Sequence, residues 1–292
     1  MKKSSHSEYH RLERVYLKKA MAAMVNEAKI NGEWESLNWL SKPDFSQAER
    51  EYMTFEELLK SNGTAVDYFP EEASLSMDSM YCRDASIATH YGMIICNMGK
   101  ALRMPEPKVQ QAIFEANGIP ILGVIEAPGT LEGGDVAWLD ENTLAVGHSY
   151  RSNPEGIAQL KQLLEPHGIQ VIVANLPHYK GPSDVFHLMS VLSPVDKDLA
   201  VVYSPLLPIN FRQELLERGF ELVEVADDEF ESMGCNVLAL APRKCLLVKG
   251  NPKIEAALRK AGCEVLTYNG EEISVKGGGG PTCLTRPITR RF

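Results

Sequence analysis

The chain contains no long apolar run, no excess of basic residues and no nucleotide-binding loop. A membrane-spanning helix needs about 20 consecutive apolar residues, and the apolar stretch at 20–25 is too short even for a signal peptide. The 39 acidic and 30 basic residues give a net charge of −9, which removes the basic footprint typical of nucleic-acid-binding proteins. Neither GxGxxG nor a P-loop follows an apolar segment, so we expect no nucleotide cofactor.

The cysteines are few, and their spacing does not suggest a metal site. The sequence has no CxxC pair, and six cysteines among 292 residues are too sparse for a disulfide framework. Because the acidic, histidine and cysteine residues are dispersed, we predict no bound metal. The expected protein is soluble and cytoplasmic, with reduced thiols that leave room for a catalytic cysteine. The six cysteines are Cys82, Cys96, Cys235, Cys245, Cys263 and Cys283.

A repeat pattern organises most of the chain. Five times an amphipathic helix is followed by a glycine and a short apolar strand, at intervals of roughly 50 residues, within the range of known structural repeats. Such a glycine is typical of the left-handed residue that ends a helix. The five glycines are Gly63, Gly118, Gly168, Gly219 and Gly262, and apolar strands are predicted before the helices at 38–43, 92–98, 143–149, 199–207 and 245–251.

Helix starts agree with this pattern. Asn153-Pro154 and Asn251-Pro252 combine an N-cap with proline at the first helical position, and Ser46 with Glu49 suggests a capping box. We therefore predict five α/β units closed around a pseudo-fivefold axis in one domain. A doubly wound α/β sheet also alternates strands and helices, but it is less favoured without a phosphate loop. The predicted organisation is an N-terminal helical extension at 1–34 and a catalytic domain at 35–292.

Chemically distinctive residues follow the glycine-started strands at comparable distances. Around a pseudo-fivefold axis, equivalent positions of the units would meet in one central pocket. The sequence therefore predicts that two carboxylates, a histidine and a cysteine converge, with a polar segment of the fourth unit beside them. These positions are Asp84, Glu132, His187, Gly234-Cys235-Asn236 and Cys283.

These residues and their neighbours resemble the guanidino-group-modifying, or pentein, superfamily. The matching segments, in the family's order, are 81–84 (YCRD), 131–135 (LEGGD), 147–153 (GHSYRSN), 186–190 (FHLMS) and 280–287 (GPTCLTRP). The resemblance implies a five-bladed α/β propeller. The segment at 186–190 is closest to dimethylarginine dimethylaminohydrolases, because typical arginine deiminases carry an aspartate where Met189 stands. The Arg83-Asp84 pair is instead closer to deiminases and amidinotransferases.

Under this resemblance Cys283 is the nucleophile, and the glycine run before it suits a loop whose backbone passes close to a ligand. His187 is the expected general acid and then base, because its pKa range suits both roles. Cys96, Cys245 and Cys263, inside apolar strands, are expected to be buried small side chains. The remaining histidines, including His6 and His10 in a mobile N-terminus, are expected to have no catalytic role.

Carboxylates are the expected partners of a guanidinium, since they accept paired hydrogen bonds from a planar cation. Glu132 and Asp84 take this part, and Glu132 also orients the histidine. Asp78 is an alternative source of negative charge, and Asp135 is either a substrate ligand or a turn residue. Arg151 and Arg103 are expected to clamp a substrate carboxylate. Three C-terminal arginines are expected at the surface or in tail contacts: Arg286, Arg290 and Arg291.

The sequence thus predicts a hydrolase that cleaves a guanidino or ureido C–N bond through a Cys283 adduct. Its partner is a small cationic guanidino compound such as arginine or dimethylarginine; no nucleic acid, membrane, metal or cofactor is expected. The rivals are an amidinotransferase, a citrulline-hydrolysing enzyme, an arginine or agmatine deiminase, and a non-enzymatic binder. The N-terminal segment is left open as helix, lid or homodimer contact.

Overall fold

Short strands and α-helices alternate along the described part of the chain. The computed structural model describes residues 3–292. Among those residues no helix is both long and apolar enough to cross a membrane. The helices are α1 (Ala20–Met24), α2 (Glu27–Glu33), α3 (Phe45–Ser61), α4 (Glu106–Ala116), α5 (Pro154–Leu164), α6 (Ile209–Glu217), α7 (Asp227–Phe230) and α8 (Pro252–Lys260). The strands are β1 (Lys3–Ser4), β2 (Arg11–Leu17), β3 (Ala65–Tyr68), β4 (Ser86–Thr89), β5 (Gly92–Ile95), β6 (Ile121–Val124), β7 (Val136–Asp140), β8 (Thr143–His148), β9 (Gln170–Asn175), β10 (Leu192–Asp196), β11 (Leu199–Val202), β12 (Glu221–Glu224), β13 (Leu238–Ala241), β14 (Lys244–Val248), β15 (Glu264–Tyr268) and β16 (Arg286–Arg291).

Four small sheets share one construction. In each, a tight antiparallel hairpin is followed by a helix, and the chain returns as a third strand parallel to the second. The helical crossover is what a parallel pairing requires. We call them the second (β4–β6), third (β7–β9), fourth (β10–β12) and fifth (β13–β15) sheets.

The remaining sheet, the terminal sheet, joins the two ends of the chain. Its order is β1-β16-β2-β3, with β16 antiparallel to β2 and β2 parallel to β3. Strand β16 therefore supplies the hairpin strand that the other four sheets obtain from a neighbouring segment. Leu12, Val15 and Leu17 on β2 are fully buried, which fixes the register of this sheet.

The predicted first unit is wrong in two respects. Residues 38–43 form turns and bends, and the strand of this unit is β2, within the segment predicted to be a helical extension. Helices α1 and α2 do follow β2, while Met1 and Lys2 lie outside the described residues. Residues 11–17 are therefore part of the fold and not of a separate extension, because they form β2 between β16 and β3.

Helix ends largely agree with the sequence signals. All five repeat glycines have positive φ, between 69° and 85°, as a left-handed helix end requires. Asn153 caps α5, accepting a hydrogen bond from the backbone of Gly156. The predicted capping box is wrong by two residues: Asp44 caps α3 by accepting from the backbone of Gln47. Asn251 precedes α8, but its side chain does not cap the helix.

The apolar core is divided into five clusters, each lying between two neighbouring sheets. One cluster joins the terminal and second sheets, and others join the second to the third, the third to the fourth and the fourth to the fifth. The last cluster joins the fifth sheet back to the terminal sheet. The helices cover the outside with one apolar face each, as α3 does with Ala48, Tyr52, Phe55 and Leu59.

Several polar residues expected at the surface are buried. Arg286 and Arg290 lie on β16 and donate to backbone carbonyls, including those of Ser86 and Ala239, so of the two expectations the surface charge is wrong and the contact of the C-terminal tail fits both. His6 is also buried, with its ring stacked on Trp138 at a centroid distance of 3.8 Å. The N-terminus at this point is therefore packed against the second and third sheets.

Candidate active site

The five distinctive segments identified in the sequence do meet. The backbone N–H of Arg83 donates to the carbonyl of Cys283 at 3.2 Å, and that of Gly133 donates to the carbonyl of Asp84 at 2.8 Å. The backbone N–H of Leu188, next to the histidine, donates to Asp135 Oδ1 at the start of the third sheet. The backbone N–H of Thr282, next to the cysteine, donates to Asn236 Oδ1 just before the fifth sheet. These four hydrogen bonds link every one of the five segments to at least one other segment of the site.

Within residues 3–292, Cys283 is partly exposed, whereas the other five cysteines are buried. Asn236 Nδ2 donates to its Sγ at 3.4 Å, and Thr282 Oγ1 lies 3.9 Å from the same atom. Burial and the nearby charge of Asp84 raise the pKa of Cys283, although Thr282 and Asn236 oppose this shift. The resting side chain is therefore mainly a thiol at neutral pH. Cys96, Cys245 and Cys263 are buried, as the sequence predicted.

The glycines before Cys283 allow the backbone to pass against bulky side chains. A Cβ on Gly277 would lie 1.8 Å from the Tyr81 hydroxyl and 2.8 Å from the Trp39 ring. One on Gly280 would lie 2.5 Å from Asn236 Oδ1. No other residue type fits at these two positions without moving the loop that carries the cysteine.

Glu132 and His187 form a buried pair. His187 Nε2 lies 2.8 Å from Glu132 Oε2, and the other carboxylate oxygen accepts from the backbone of Gly99 at 2.9 Å and Lys100 at 3.0 Å. Glu132 is fully buried and His187 nearly so. The carboxylate is held by the backbone, so it fixes both the position and the orientation of the imidazole.

The charges of this pair stabilise each other. Burial alone would raise the pKa of Glu132, but the hydrogen bond and charge of His187, together with Arg151, lower it to about 2. Burial would lower the pKa of His187, but the charges of Asp135 and Asp84 and the bond to Glu132 raise it to about 9. At neutral pH the pair is a carboxylate with an imidazolium, which can donate a proton to a leaving group.

Asp84 presents one unsatisfied oxygen beside the histidine. Its Oδ2 accepts from Arg103 at 2.5 Å, while Oδ1 is buried without a hydrogen-bond partner among the described residues. A Cβ placed on Gly134 would touch both Asp84 Oδ1 and His187 Nδ1, so these atoms lie close together. A buried carboxylate oxygen without a donor is costly unless a ligand supplies one.

Arg103 is not available to clamp a substrate carboxylate. Its guanidinium donates to both oxygens of Glu106, to Asp84 and to the carbonyl of Tyr81, and its side chain is 4% exposed. These bonds occupy the directions from which a carboxylate would be bound. The prediction for Arg103 is therefore corrected: it holds Asp84 in place.

Asp78 and Asp135 are also engaged by the protein itself. Asp78 accepts from Trp39 Nε1 at 2.8 Å and from Lys100 Nζ at 2.6 Å, so its charge is largely neutralised. Asp135 accepts from the hydroxyls of Ser149 (2.6 Å) and Ser152 (2.7 Å) and from a backbone N–H after the histidine. Of the two roles considered for Asp135, the geometry matches the structural one.

Arg151 lies beside the catalytic candidates. Its Nη1 is 3.5 Å from Glu132 Oε2, and Nη2 donates to the carbonyl of Asp184 at 3.3 Å. The loop containing Asp184 lines the space next to His187, so Arg151 connects this loop to the carboxylate. Unlike Arg103, it has a single long contact to a carboxylate.

Two adjoining spaces border the cysteine and the histidine. The larger, about 110 Å³, has an apolar wall of Met189, Phe186 and Val185. The smaller, about 10 Å³, is bordered by Asp84, Asp78, Lys100 and Arg103. Cys283 and His187 line both spaces, so a ligand reaching the sulfur contacts a polar end and an apolar end.

The sequence interpretation left two contributors without a role. Lys100 borders the smaller space and donates to Asp78 and to the carbonyl of Leu37; no motif marked it. Asn236 contacts the sulfur directly, and the repeat comparison had identified its segment in the fourth unit. The distance of this segment from Gly219, the repeat glycine of the fourth unit, was the sequence signal that could have identified Asn236.

A metal ion was also considered for this cluster. Ligand atoms of Asp84, Glu132 and His187 all lie within 4.8 Å of one another. However, His187 Nε2 and Glu132 Oε2 are directed at each other, and Glu132 Oε1 is held by two backbone N–H groups. The donor set therefore suits proton transfer better than coordination.

The chain is similar in sequence to a dimethylarginine dimethylaminohydrolase and to an arginine deiminase. The chain is 23% identical to the dimethylarginine dimethylaminohydrolase of Pseudomonas aeruginosa, over 84% of this chain and 90% of that protein. It is 28% identical to the arginine deiminase of Mycobacterium marinum over 72% of this chain, but spans only 60% of that protein. The solved structure of a P. aeruginosa dimethylarginine dimethylaminohydrolase mutant complexed with citrulline superposes with a TM-score of 0.77 at 20% identity, covering 96% of this chain and 99% of that one, and shares its fold.

The family assignment rests on a match along nearly the whole chain. The sequence model of the family described as "N,N dimethylarginine dimethylhydrolase, eukaryotic" matches residues 20–290. This range contains all the segments that meet around Cys283 and His187. The resemblance to the guanidino-group-modifying superfamily is thereby confirmed, and the protein belongs to the dimethylarginine dimethylhydrolase family.

Proposed function

We propose that the protein hydrolyses a C–N bond in the guanidino group of arginine or an Nω-substituted arginine, through a covalent adduct on Cys283. The observation that carries this proposal is the unsatisfied Asp84 Oδ1 on the space lined by Cys283 and His187. A guanidinium N–H is a suitable donor for that oxygen, and its positive charge offsets the carboxylate. Arg103, bonded to Asp84 Oδ2, keeps Oδ1 directed at the substrate.

Binding of the cation prepares the nucleophile. Burial and Asp84 raise the pKa of the free Cys283 thiol. A guanidinium bound between Asp84 and Cys283 neutralises the charge of the Asp84 carboxylate and stabilises the thiolate form of Cys283. The thiol proton leaves to solvent, and the thiolate is formed next to the carbon that it attacks.

The first half of the reaction forms a C–S bond and breaks a C–N bond. The thiolate attacks the guanidino carbon, and the tetrahedral adduct collapses with loss of an amine. The imidazolium of His187 donates the proton that this amine needs to leave. Glu132, hydrogen-bonded to the ring, keeps the imidazole in place as it becomes neutral. The products of this half are an S-alkyl thiouronium on Cys283 and neutral His187.

The second half returns the enzyme to its starting state. Neutral His187 takes a proton from water, and the resulting hydroxide adds to the thiouronium carbon. The C–S bond then breaks, the thiolate of Cys283 leaves and takes up the hydroxyl proton of the adduct to become a thiol again, and a neutral urea group remains on the product. Arginine-type substrates would therefore yield citrulline, the molecule present in the solved structure of the P. aeruginosa relative.

An apolar residue beside the histidine favours a substituted guanidine. Met189, where typical arginine deiminases have an aspartate, is buried and borders the larger space with Phe186. A thioether offers no hydrogen bond to an unsubstituted nitrogen, but it packs well against N-methyl groups. We therefore place methylated arginines ahead of arginine, with Arg151 as the remaining candidate to bind the substrate carboxylate.

We also propose that the five sheets are the blades of a propeller, forming one domain around the site. The closed sequence of core clusters between neighbouring sheets supports this arrangement. A cytoplasmic location with reduced thiols and a homodimer remain predictions from the sequence.

A substrate screen tests the proposed function. Purified protein is incubated with monomethyl- and dimethylarginine, arginine, agmatine and citrulline, and the released amine or ammonia and the ureido product are quantified. We expect methylamine or dimethylamine with an equal amount of citrulline, and no turnover by Cys283→Ser, which still binds ligand. Products that require an added amine such as glycine would indicate an amidinotransferase. Turnover retained by Cys283→Ser would exclude the covalent route.

A further inference from the structure

We propose that Asn236 is a positioning residue that donates a hydrogen bond to the sulfur of Cys283 and so stabilises its reactive, ionised form relative to the thiol. This inference rests on the proposed function and adds a residue to that site. Asn236 Nδ2 lies 3.4 Å from Cys283 Sγ, within the range of a hydrogen bond to sulfur, and the side chain is 6% exposed. A donor to sulfur favours the ionised form over the neutral one.

The orientation of the amide follows from its other contacts. Asn236 Oδ1 accepts from the backbone N–H of Thr282 at 3.0 Å and from its hydroxyl at 2.9 Å. Because a backbone N–H can only donate, the oxygen must face Thr282 and the NH₂ group must face the sulfur. The residue that precedes Cys283 thus determines which end of the amide the nucleophile meets.

The backbone on both sides of Asn236 is fixed by a single hydroxyl. Ser193 Oγ donates to the carbonyl of Cys235 at 2.7 Å and accepts from the N–H of Val237 at 3.1 Å. On the facing loop, Gly280 has no Cβ, and an added one would lie within 2.7 Å of three Asn236 atoms. The amide is therefore clamped between the fourth sheet and the glycine loop, with no alternative position for the donor.

The turn before Asn236 carries backbone strain. Met233 has a φ of 70°, in the left-handed region, where a non-glycine residue is uncommon. Its carbonyl accepts from the N–H of Asn236 at 3.0 Å. Strained backbone persists when the surrounding structure enforces it, and it is enriched at functional sites. Here it sets the position from which Asn236 reaches the sulfur.

The other groups that influence the sulfur do not replace this donor. Asp84 disfavours the ionised form and Arg83 favours it, while the buried hydroxyls of Tyr81 and Tyr268 remain neutral because burial raises their pKa. His187 lines the same spaces but is hydrogen-bonded to Glu132. The Thr282 hydroxyl is 3.9 Å away and bonded to Asn236. Asn236 is therefore the nearest N–H donor that the described residues supply to the sulfur.

Asn236→Asp is the sharpest test, because it keeps the acceptor for Thr282 but replaces the donor with a negatively charged acceptor. The readout is the rate of iodoacetamide alkylation at Cys283 as a function of pH, located by peptide mass, without substrate. We expect the rate at pH 7 to fall roughly ten- to one-hundred-fold, the loss expected for a hydrogen bond to an ionised group. Asn236→Ala should change the rate in the same direction without adding charge.

Asn38→Asp is the matched control. Asn38 borders the same larger space but has no contact with the sulfur, so its variant should alkylate like the wild type. Thr282→Val removes one anchor of the amide and should slow alkylation less than Asn236→Asp, with Thr282→Ser restoring the rate. Thermal unfolding is measured for each protein, and the Thr282 pair provides the answer if the Asn236 variants do not fold.

The outcomes separate this inference from the proposed function. Wild-type alkylation rates in both Asn236 variants, or in Thr282→Val if those variants do not fold, would overturn the role of Asn236. If the wild-type protein turned over no guanidine or ureido compound, the proposed function would fail, whereas slower alkylation in Asn236→Asp would still support the contact.

Discussion

Replacing Glu132 by glutamine should move the alkaline limit of activity toward neutral pH. Glutamine is nearly the same shape and keeps an oxygen for the N–H groups of Gly99 and Lys100, but it carries no charge. His187 then loses the carboxylate at 2.8 Å that helps to raise its pKa to about 9. The imidazolium that protonates the leaving amine is consequently lost at lower pH.

The size of this shift follows from the contact that is removed. A hydrogen bond to a charged group contributes about 1.5–3 kcal/mol, and one pKa unit corresponds to about 1.4 kcal/mol, so we expect a shift of about one to two units. The shift must be toward lower pH. The raised pKa of His187 means that the folded protein stabilises the protonated ring up to that pKa, and removal of the carboxylate weakens this stabilisation. Asp135 and Asp84 keep part of the elevation.

The assay is NMR titration of the His187 ring in protein without substrate, supported by the pH dependence of kcat at saturating substrate, where the bound cation has already ionised Cys283. We expect the ring to titrate near pH 9 in the wild type and between about 7 and 8 in Glu132→Gln, with the alkaline limb of kcat moving in the same direction. Glu126→Gln, at an exposed position on the same connection, should leave the profile unchanged. An alkaline limb that stays in place in Glu132→Gln would refute the assignment of His187 as the acid held by Glu132.

Three further predictions concern the surroundings of this pair. Gly134→Ala should reduce kcat roughly one-hundred-fold, because the new Cβ would lie 2.5 Å from His187 Nδ1 and would displace the imidazole. Gly32→Ala is the control: a Cβ there has no atom within 4 Å, so kcat should not change. Equal activities of the two variants would contradict this geometry. Arg103→Gln should lower the free energy of unfolding in urea by about 3–5 kcal/mol, because it leaves Glu106 and Asp84 buried and unpaired. The exposed pair Arg212–Glu224 provides its control, and Arg212→Gln should cost less than about 1 kcal/mol. Finally, kcat/KM of the wild type should rise between pH 6 and pH 8, because burial and Asp84 raise the pKa of Cys283; a flat profile there would indicate a thiolate already formed in the free protein.

Much of the site could be predicted because its signals are local. Glycines with positive φ end the helices of the repeat, and they mark the register from which Asp84, Glu132, His187 and Cys283 are counted. Residues at equivalent places in repeated units converge when the units pack side by side. The same counting pointed to the segment of Asn236 but assigned it no role, since its contact with the sulfur depends on the amide orientation set by Thr282.

The failures of sequence interpretation involve charged residues that are paired over long distances. The sequence analysis places residues 11–17 in a helical extension, yet they form strand β2, and Arg14 on that strand pairs with Asp67 on β3. Arg103 looked like a free clamp, although three carboxylate oxygens surround it in the fold. No local pattern distinguishes an arginine that meets its partner across the fold from one that meets water.

Sequence patterns therefore established four of the five strand–helix–strand units, the glycines that end the five helices, and the candidate-site residues Asp84, Glu132, His187 and Cys283. The tertiary structure alone decided that β16 and β2 pair to complete the terminal sheet, because nothing in either segment indicates a partner at the opposite end of the chain. It also decided which charges are free. Asp84 keeps one buried oxygen to which none of residues 3–292 donates, while Asp78, Asp135 and Arg103 are satisfied internally. That difference depends on distances that only packing can set.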